Sequence, residues 1–122
     1  MIAPIDIGRS SHSAIFRIFW AAILERQQLT FTYKGLDREV CPHILGHKEG
    51  EEKALVYQFA GESSGKLPAR GQWKCLYVAE AKNIRPRKGK WHTGDRHMSR
   101  QRCIDAVFVD VNTSVPNQPG RQ

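Results

Sequence analysis

The stretch from Ser13 to Gly46 places one amphipathic helix pattern directly before two strand patterns, with only a short turn between the strands. From Ala14 to Gln27, apolar residues recur with helical spacing. Residues 29–33 then alternate between apolar and polar, which is typical of a half-buried β-strand, and a second strand pattern covers Arg38–Leu45. Parallel strands need a crossover of a dozen or more residues. The short connections therefore predict antiparallel strands.

The rest of the chain continues this pattern of short strands and short loops. Further strand patterns lie at Ala54–Phe59, Trp73–Val78, Ala81–Arg85 and Ile104–Val111. The polar, acidic residues 46–52 predict a loop. Pro42 lacks an amide donor, so it predicts a sheet edge or a bulge at its place in the second strand. One helix with five or six closely spaced strands predicts a mainly β (α+β) fold, a small and strongly bent β-barrel.

The chain has the length of one domain, with 122 residues. We expect this domain to span residues 13–111, between an irregular N-terminal arm (residues 1–12) and a disordered tail (residues 112–122). The helix has a wide apolar arc that includes Phe16 and Trp20. Either the barrel and the arm cover this arc, or Phe16 and Trp20 contact a second subunit in a homodimer.

Positive charge is concentrated in one segment. The formal net charge is +7, and residues 82–102 contain eight lysines and arginines against one aspartate, so this segment accounts for the whole excess. Clustered cations predict an anionic partner. Cations next to an aromatic ring favour contact with a nucleotide or nucleic acid, and a solvated loop is the alternative. The residues concerned are Arg85, Arg87, Lys88, Lys90 and Trp91.

The sequence also argues against several classes of protein. Its three cysteines, Cys41, Cys75 and Cys103, form no Cys-x-x-Cys pair. We therefore expect small buried thiols in a reducing cytoplasm, with neither a thiolate metal site nor a disulfide framework. No apolar run is long enough to span a membrane, and the N-terminus lacks the pattern of a secretory signal. Without a recognisable catalytic constellation, we expect no enzymatic activity, metal or cofactor.

The first two strand patterns place an aromatic ring close to a cation. Tyr33 and Arg38 flank the four residues 34–37, so a simple hairpin would place them opposite each other. An arginine beside a ring can offer a two-pronged contact to phosphate or carboxylate while the ring stacks on a base. The alternative is structural, with Tyr33 in the core and Arg38 paired with a neighbouring carboxylate such as that of Asp37 or Glu39.

A helix ending near Gln27, a strand closing on Tyr33, and then Arg38-x-Val40-x-Pro42 resemble the opening of a WYL domain. The resemblance covers roughly residues 14–90 and implies an SH3-like or Sm-like barrel with a helix against it. WYL domains are typically ligand-sensing modules of prokaryotic regulators, often behind a helix-turn-helix. We expect a divergent, stand-alone member without that helix-turn-helix.

The resemblance also implies the kind of ligand, a nucleotide or single-stranded nucleic acid held on a basic and aromatic barrel face. The residues that would hold it are Tyr33, Arg38, Tyr57, Trp73, Lys74 and Lys82. Taken alone, Tyr57 and Trp73 suit the core equally well. The expected function is that of a non-enzymatic ligand-sensing or regulatory accessory domain. The alternative is a protein-interaction module whose basic segment docks an acidic partner.

Overall fold

The computed structural model describes residues 12–94 and 101–113. Most of the predicted arm and of the predicted tail therefore lies outside the described residues. Within these ranges the α-helix, α1, spans Ala14–Glu25. The strands are β1 (Gln28–Tyr33), β2 (Leu36–Lys48), β3 (Glu51–Gly61), β4 (Gln72–Tyr77), β5 (Ala81–Arg87) and β6 (Ala106–Asp110), with a 3-10 helix, Val78–Glu80, between β4 and β5.

Local hydrogen bonds fix both ends of α1. The Ser13 hydroxyl accepts from the Phe16 amide at 3.0 Å, as expected of an N-cap residue. The same hydroxyl donates to a carboxylate oxygen of Glu52 at 2.6 Å, which ties the start of the helix to β3. The helix ends where Arg26 takes a left-handed conformation with φ 54°. The helix is therefore two residues shorter than the predicted Ala14–Gln27.

All six strands form one antiparallel sheet in the order β4–β3–β2–β1–β5, with β6 also paired to β2. The predicted mainly β fold with one N-terminal helix is thus confirmed. The sheet is not closed, because β4 and β5 occupy its two ends without pairing, so the fold is at most barrel-like. Strand β4 still approaches β1, the neighbour of β5, since the Tyr33 hydroxyl accepts from the Tyr77 amide at 3.0 Å.

Strand β2 is the central strand and has two partners on one flank. Its residues 36–40 pair with β1, and residues 44–47 pair with β6. Pro42 lies in the gap between these partners, and the β2–β3 register shifts between Pro42 and Ile44. The predicted bulge is confirmed, whereas an edge position is wrong because β3 covers the other flank of β2.

The predicted acidic loop at residues 46–52 is wrong. Strand β2 continues to Lys48 and β3 begins at Glu51, so the two strands form one long hairpin. The turn between them is Glu49–Gly50, with φ of 52° and 82°. Two residues with positive φ make the tight turn that suits the twist of a hairpin.

The main core lies between α1 and the inner face of the sheet. Phe16, Phe19, Ala22 and Ile23 are buried on the helix side, and Leu29, Phe31 and Tyr33 are buried on β1. The second-subunit role predicted for Phe16 is wrong, because its side chain is 0% exposed within the single chain. Trp20 is half-buried, with its ring 4.7 Å from that of Phe108 on β6.

A second, smaller apolar cluster lies on the outer face of the sheet. It contains Ile44, Leu55, Cys103 and Ile104, with Trp73 packed against it. Cys103 is bonded to Cys75, so the expectation of three free thiols is wrong for this pair, while Cys41 is a buried free thiol. The bond holds the chain before β6 against β4. Among the described residues, no helix is long and apolar enough to cross a membrane.

Candidate functional site

Tyr33 and Arg38 come together by a different route from the predicted one. The β1–β2 turn contains only Lys34 and Gly35, with φ of 53° and 78°, so Tyr33 pairs with Leu36 and Arg38 pairs with Phe31. The guanidinium of Arg38 lies diagonally over the Tyr33 ring, 5.3 Å from its centroid. The predicted register is therefore wrong, although the two side chains do meet.

Arg38 is a buried cation held by neutral groups. It is 5% exposed, and its two terminal nitrogens donate to Gln58 Oε1 at 3.2 Å and to the Tyr33 carbonyl at 3.3 Å. Its buried Nε has no hydrogen-bond partner among the described residues. Lys74 lies close enough that the charge of Arg38, after burial, lowers the pKa of Lys74. The structure therefore places Tyr33, Arg38 and Lys74 near one another, while their role in binding stays a prediction.

Tyr57 and Trp73 belong to an aromatic cluster on the outer face. Their rings are 4.9 Å apart, and the Tyr57 hydroxyl donates to the Arg70 carbonyl at 2.5 Å. Tyr57 is 7% exposed, so its ring is largely closed to stacking. Trp73 is only half-buried, and His43 packs against it with ring centroids 4.8 Å apart. Of these two aromatic residues, Trp73 is the more exposed.

The predicted basic segment does not form one surface. Lys82 and Arg85 are exposed on β5, whereas Arg87 forms an ion pair with Glu39 at 2.8 Å and also donates to Gln28. The chain then crosses the outer face of the sheet. There Trp91 turns inward and packs 4.9 Å from the His43 ring.

Lys88 and Lys90 are exposed on this crossing. The Lys90 carbonyl accepts from the Gln28 side chain at 2.8 Å, which fixes the path of the backbone. Arg96 and Arg100, the last cations before Arg102, lie outside the described residues. The described cations of the segment therefore spread over β5 and the outer face.

A shallow cavity of about 320 Å³ lies where β1, β2 and β5 meet. Arg38, Arg85 and Arg87 line it, but so do the carboxylates of Asp37 and Glu39. Three positive and two negative charges leave a net charge of about +1 at neutral pH. The mixed lining makes this cavity a weak candidate for an anion.

The stronger candidate is a groove beside β4, about 490 Å³ in volume. We call it the basic groove. Of the described residues that line it, four are basic and none is acidic. Its basic residues are Lys48, Lys53, Lys74 and Arg102, and its other walls include Leu55, Trp73, Cys75 and Cys103.

Polar and aromatic contacts hold the lysines of the basic groove. The Lys48 amine donates to the Arg102 carbonyl at 2.7 Å, and the Lys53 amine lies 4.1 Å from the centroid of the Tyr77 ring. Lys74 donates to the Ser63 hydroxyl at 3.0 Å. None of these partners is a carboxylate, so within the described part of the chain the positive charge of the groove is not neutralised. Because β4 is an edge strand, Trp73 and its neighbour Lys74 both reach the groove.

Three residues of the basic groove were missed by sequence reasoning: Lys48, Lys53 and Arg102. Lys48 and Lys53 lie near each other on β2 and β3, whereas Arg102 lies much further along the chain, just before β6. No local motif joins them. A partial signal was present, because Lys48 and Lys53 flank the Glu49–Gly50 turn, and a predicted hairpin there would have placed two lysines near each other.

Comparison with known proteins gives no relative. No family model, curated protein or solved structure matches the chain. The resemblance to a WYL domain therefore stays a prediction. The geometry and charge of the chain itself are the basis for inferring its function.

Proposed function

We propose that the protein binds an anionic ligand, a nucleotide or a short single strand of nucleic acid, in the basic groove. The observation that carries this proposal is the groove lining, which among the described residues has four cations, no acidic side chain and a half-buried tryptophan. Cations neutralise phosphate, while an aromatic face stacks on any base. A volume of about 490 Å³ is within the usual range for small-molecule sites.

The role proposed is binding without catalysis, as in a ligand-sensing or regulatory accessory domain. Trp73 would supply the stacking surface, and Lys53, Lys74 and Arg102 would contact phosphate. Arg38 would not contact the ligand but would add a second positive charge near Lys74. The resemblance to WYL domains supports the same class of ligand. This site uses Trp73 and Lys74 of the predicted set, whereas Tyr57 lines a different cavity.

The test is binding of fluorescein-labelled decathymidylate, followed by anisotropy from 50 to 200 mM salt. Three or four phosphate contacts on a single strand give a log–log slope of about −2 to −3. Affinity should therefore fall about 20- to 50-fold over this range. Absence of binding at 50 mM salt, or a Kd that does not change with salt, would overturn the proposal.

A matched pair of variants locates the contact. Lys53→Gln removes a cation from the groove, while Lys82→Gln removes one from β5 that does not line the groove. Only Lys53→Gln should weaken binding and make the slope shallower by about 0.7. An equal loss with Lys82→Gln would assign binding to the basic segment instead. AMP as a competitor then distinguishes a nucleotide site from one that needs several phosphates.

A second candidate function is self-association through β6. Val107 and Phe108 are 50% and 41% exposed, and among the described residues β6 pairs only with β2, on one edge. An exposed apolar strand edge invites pairing with a second copy. Light scattering across a concentration series tests this, because Phe108→Ser should shift any dimer toward monomer. A monomer at every concentration would exclude it.

The Cys75–Cys103 disulfide also bears on the cellular location of the protein. A cytoplasmic location was predicted from three separate thiols, but the Cys75–Cys103 bond is of a kind that persists mainly in oxidising compartments. If the protein is cytoplasmic, we expect the Cys75–Cys103 disulfide to be reduced there by thiol exchange. Counting free thiols in protein extracted under acid quench would decide between these states.

A further inference from the structure

The Cys75–Cys103 bond forms part of the wall of the basic groove, and its two halves differ in accessibility. Cys103 is 7% exposed and packs in the outer apolar cluster with Ile44, Leu55 and Ile104. Cys75 is exposed on the edge strand β4. Thiol–disulfide exchange requires a thiolate to reach one sulfur atom. Both cysteines line the groove, but Cys75 is the more exposed of the two residues, so its sulfur is the expected point of attack.

We propose that Cys75 is a thiol–disulfide exchange site for small anionic thiols, the class that includes glutathione. A thiolate entering the groove attacks Cys75 Sγ, a new sulfur–sulfur bond forms there, and the Cys75–Cys103 bond breaks. Cys103 leaves with the bonding electron pair as a thiolate and takes a proton from water. One disulfide replaces another, so no further oxidant or reductant is needed. The protonated Cys103 thiol has the Ala54 carbonyl, 3.6 Å from its sulfur, as an acceptor.

Charge selects the attacking thiol. The four cations of the groove attract an anionic thiol and repel a cationic one, and they also stabilise the Cys103 thiolate as it leaves. Four unit charges at an assumed ~8 Å in water, with a Debye length of about 10 Å, give about a fivefold rate difference per unit of thiol charge. At 1 M salt, where the Debye length is about 3 Å, the same estimate falls below about 1.5-fold.

Cys41 does not compete for the reagent. It is buried at 0% exposure, its sulfur accepts from the His92 amide at 3.2 Å, and burial raises its pKa to about 11. At pH 8 it is therefore nearly all thiol, which is neither nucleophilic nor readily alkylated. A thiol adduct on the folded chain should consequently report on Cys75.

The experiment treats the full oxidised chain at pH 8 with three small thiols of similar size. These are 2-mercaptoethanesulfonate, 2-mercaptoethanol and cysteamine, with charges of −1, 0 and +1. Each reaction is quenched with N-ethylmaleimide and mapped by mass spectrometry. Each rate is divided by the rate of the same thiol with neutral 2-hydroxyethyl disulfide, which removes differences in intrinsic reactivity.

The expected product carries the thiol on Cys75 and the maleimide on Cys103. The normalised rates should rise about fivefold per negative charge at 0.1 M ionic strength and converge at 1 M salt. Lys53→Gln should reduce this ratio and Lys82→Gln should leave it unchanged, with Arg102→Gln as a second groove variant if Lys53→Gln fails to fold. An adduct on Cys103, or equal normalised rates at low salt, would overturn the proposal.

The exchange site uses the same groove as the proposed ligand but does not need that ligand. No nucleotide or oligonucleotide is present in the exchange assay. A charge-dependent exchange without oligonucleotide binding would therefore refute only the proposed function. Salt-dependent oligonucleotide binding without charge-dependent exchange would refute only the exchange site.

Discussion

Loss of the Cys75–Cys103 bond should be the most damaging single covalent change to this fold. The two cysteines are 28 residues apart. In the loop-closure model a bond across 28 residues removes about 12 cal/mol/K of entropy from the unfolded chain, or about 3.6 kcal/mol at 25 °C. A chain of 122 residues unfolds with an entropy of about 0.26 kcal/mol/K. Reduction should therefore lower Tm by about 14 °C.

Circular dichroism melts of the chain, with and without a phosphine reductant, measure this shift. A denatured, unreduced sample should first titrate one free thiol, that of Cys41, and a reduced sample three. The double variant Cys75→Ser with Cys103→Ala should melt near the reduced protein and should not respond to the reductant. If reduction moves Tm by less than about 3 °C while the thiol counts hold, the loop-closure argument is refuted.

Two further substitutions test particular contacts. At Gly46 an added Cβ would overlap the Ala106 carbonyl oxygen and lie 2.7 Å from an Ile104 methyl group. Gly46→Ala should therefore weaken the β2–β6 pairing and lower the free energy of unfolding, measured in urea, by about 1–3 kcal/mol. The matched control Gly65→Ala meets nothing within 4 Å and should be nearly neutral; equal effects would contradict the close approach. Arg38→Met should raise the pKa of Lys74 toward its ordinary value, because it removes the positive charge that, after burial, lowers this pKa. An NMR titration of methylated lysine that shows no rise would contradict the proximity of Arg38 and Lys74.

One pH dependence follows from the buried thiol. Burial raises the pKa of Cys41 from 9.0 to about 11, so the folded chain keeps this proton after the unfolded chain has lost it. The unfolded state binds fewer protons in this window, and stability therefore falls as pH rises. Denaturant unfolding of the wild type should show its Cys41 contribution intact below pH 9 and lost progressively toward pH 11. A Cys41→Ala variant with the same pH slope would contradict this assignment.

The helix, the main strands and their antiparallel arrangement could be predicted because they depend on local periodicity. The turns were harder. Both hairpin turns, Lys34–Gly35 and Glu49–Gly50, place a non-glycine residue at positive φ directly before a glycine. Each resembles the Asn-Gly pattern of a two-residue hairpin, but lysine and glutamate are poor candidates for positive φ. The first turn was therefore predicted as four residues, and the second as a loop.

The disulfide could not be predicted for a different reason. Three cysteines allow three possible pairs, and no spacing rule selects among them. Cys103 can bond to Cys75 because the chain before β6 comes back beside β4 after it has crossed the outer face. Its position is fixed by the packing of Ile104 over Gly46 and by the pairing of β6 with β2. Those contacts are all long-range, and local patterns do not report them.

The distribution of charge shows most clearly why sequence clustering and spatial clustering differ. The densest basic segment begins on β5, where alternate side chains point to opposite faces, and its best-placed cation, Arg87, is neutralised by Glu39. The basic groove instead takes single cations from β2, β3, β4 and the chain before β6. Lys48, Lys53 and Lys74 lie outside the basic segment, and the fourth cation, Arg102, is its last residue. An anion is attracted most strongly where cations lie near each other in space with no carboxylate among them. Among the described residues, the lining of the basic groove has cations and no carboxylate, whereas the cavity beside Arg85 and Arg87 also contains Asp37 and Glu39.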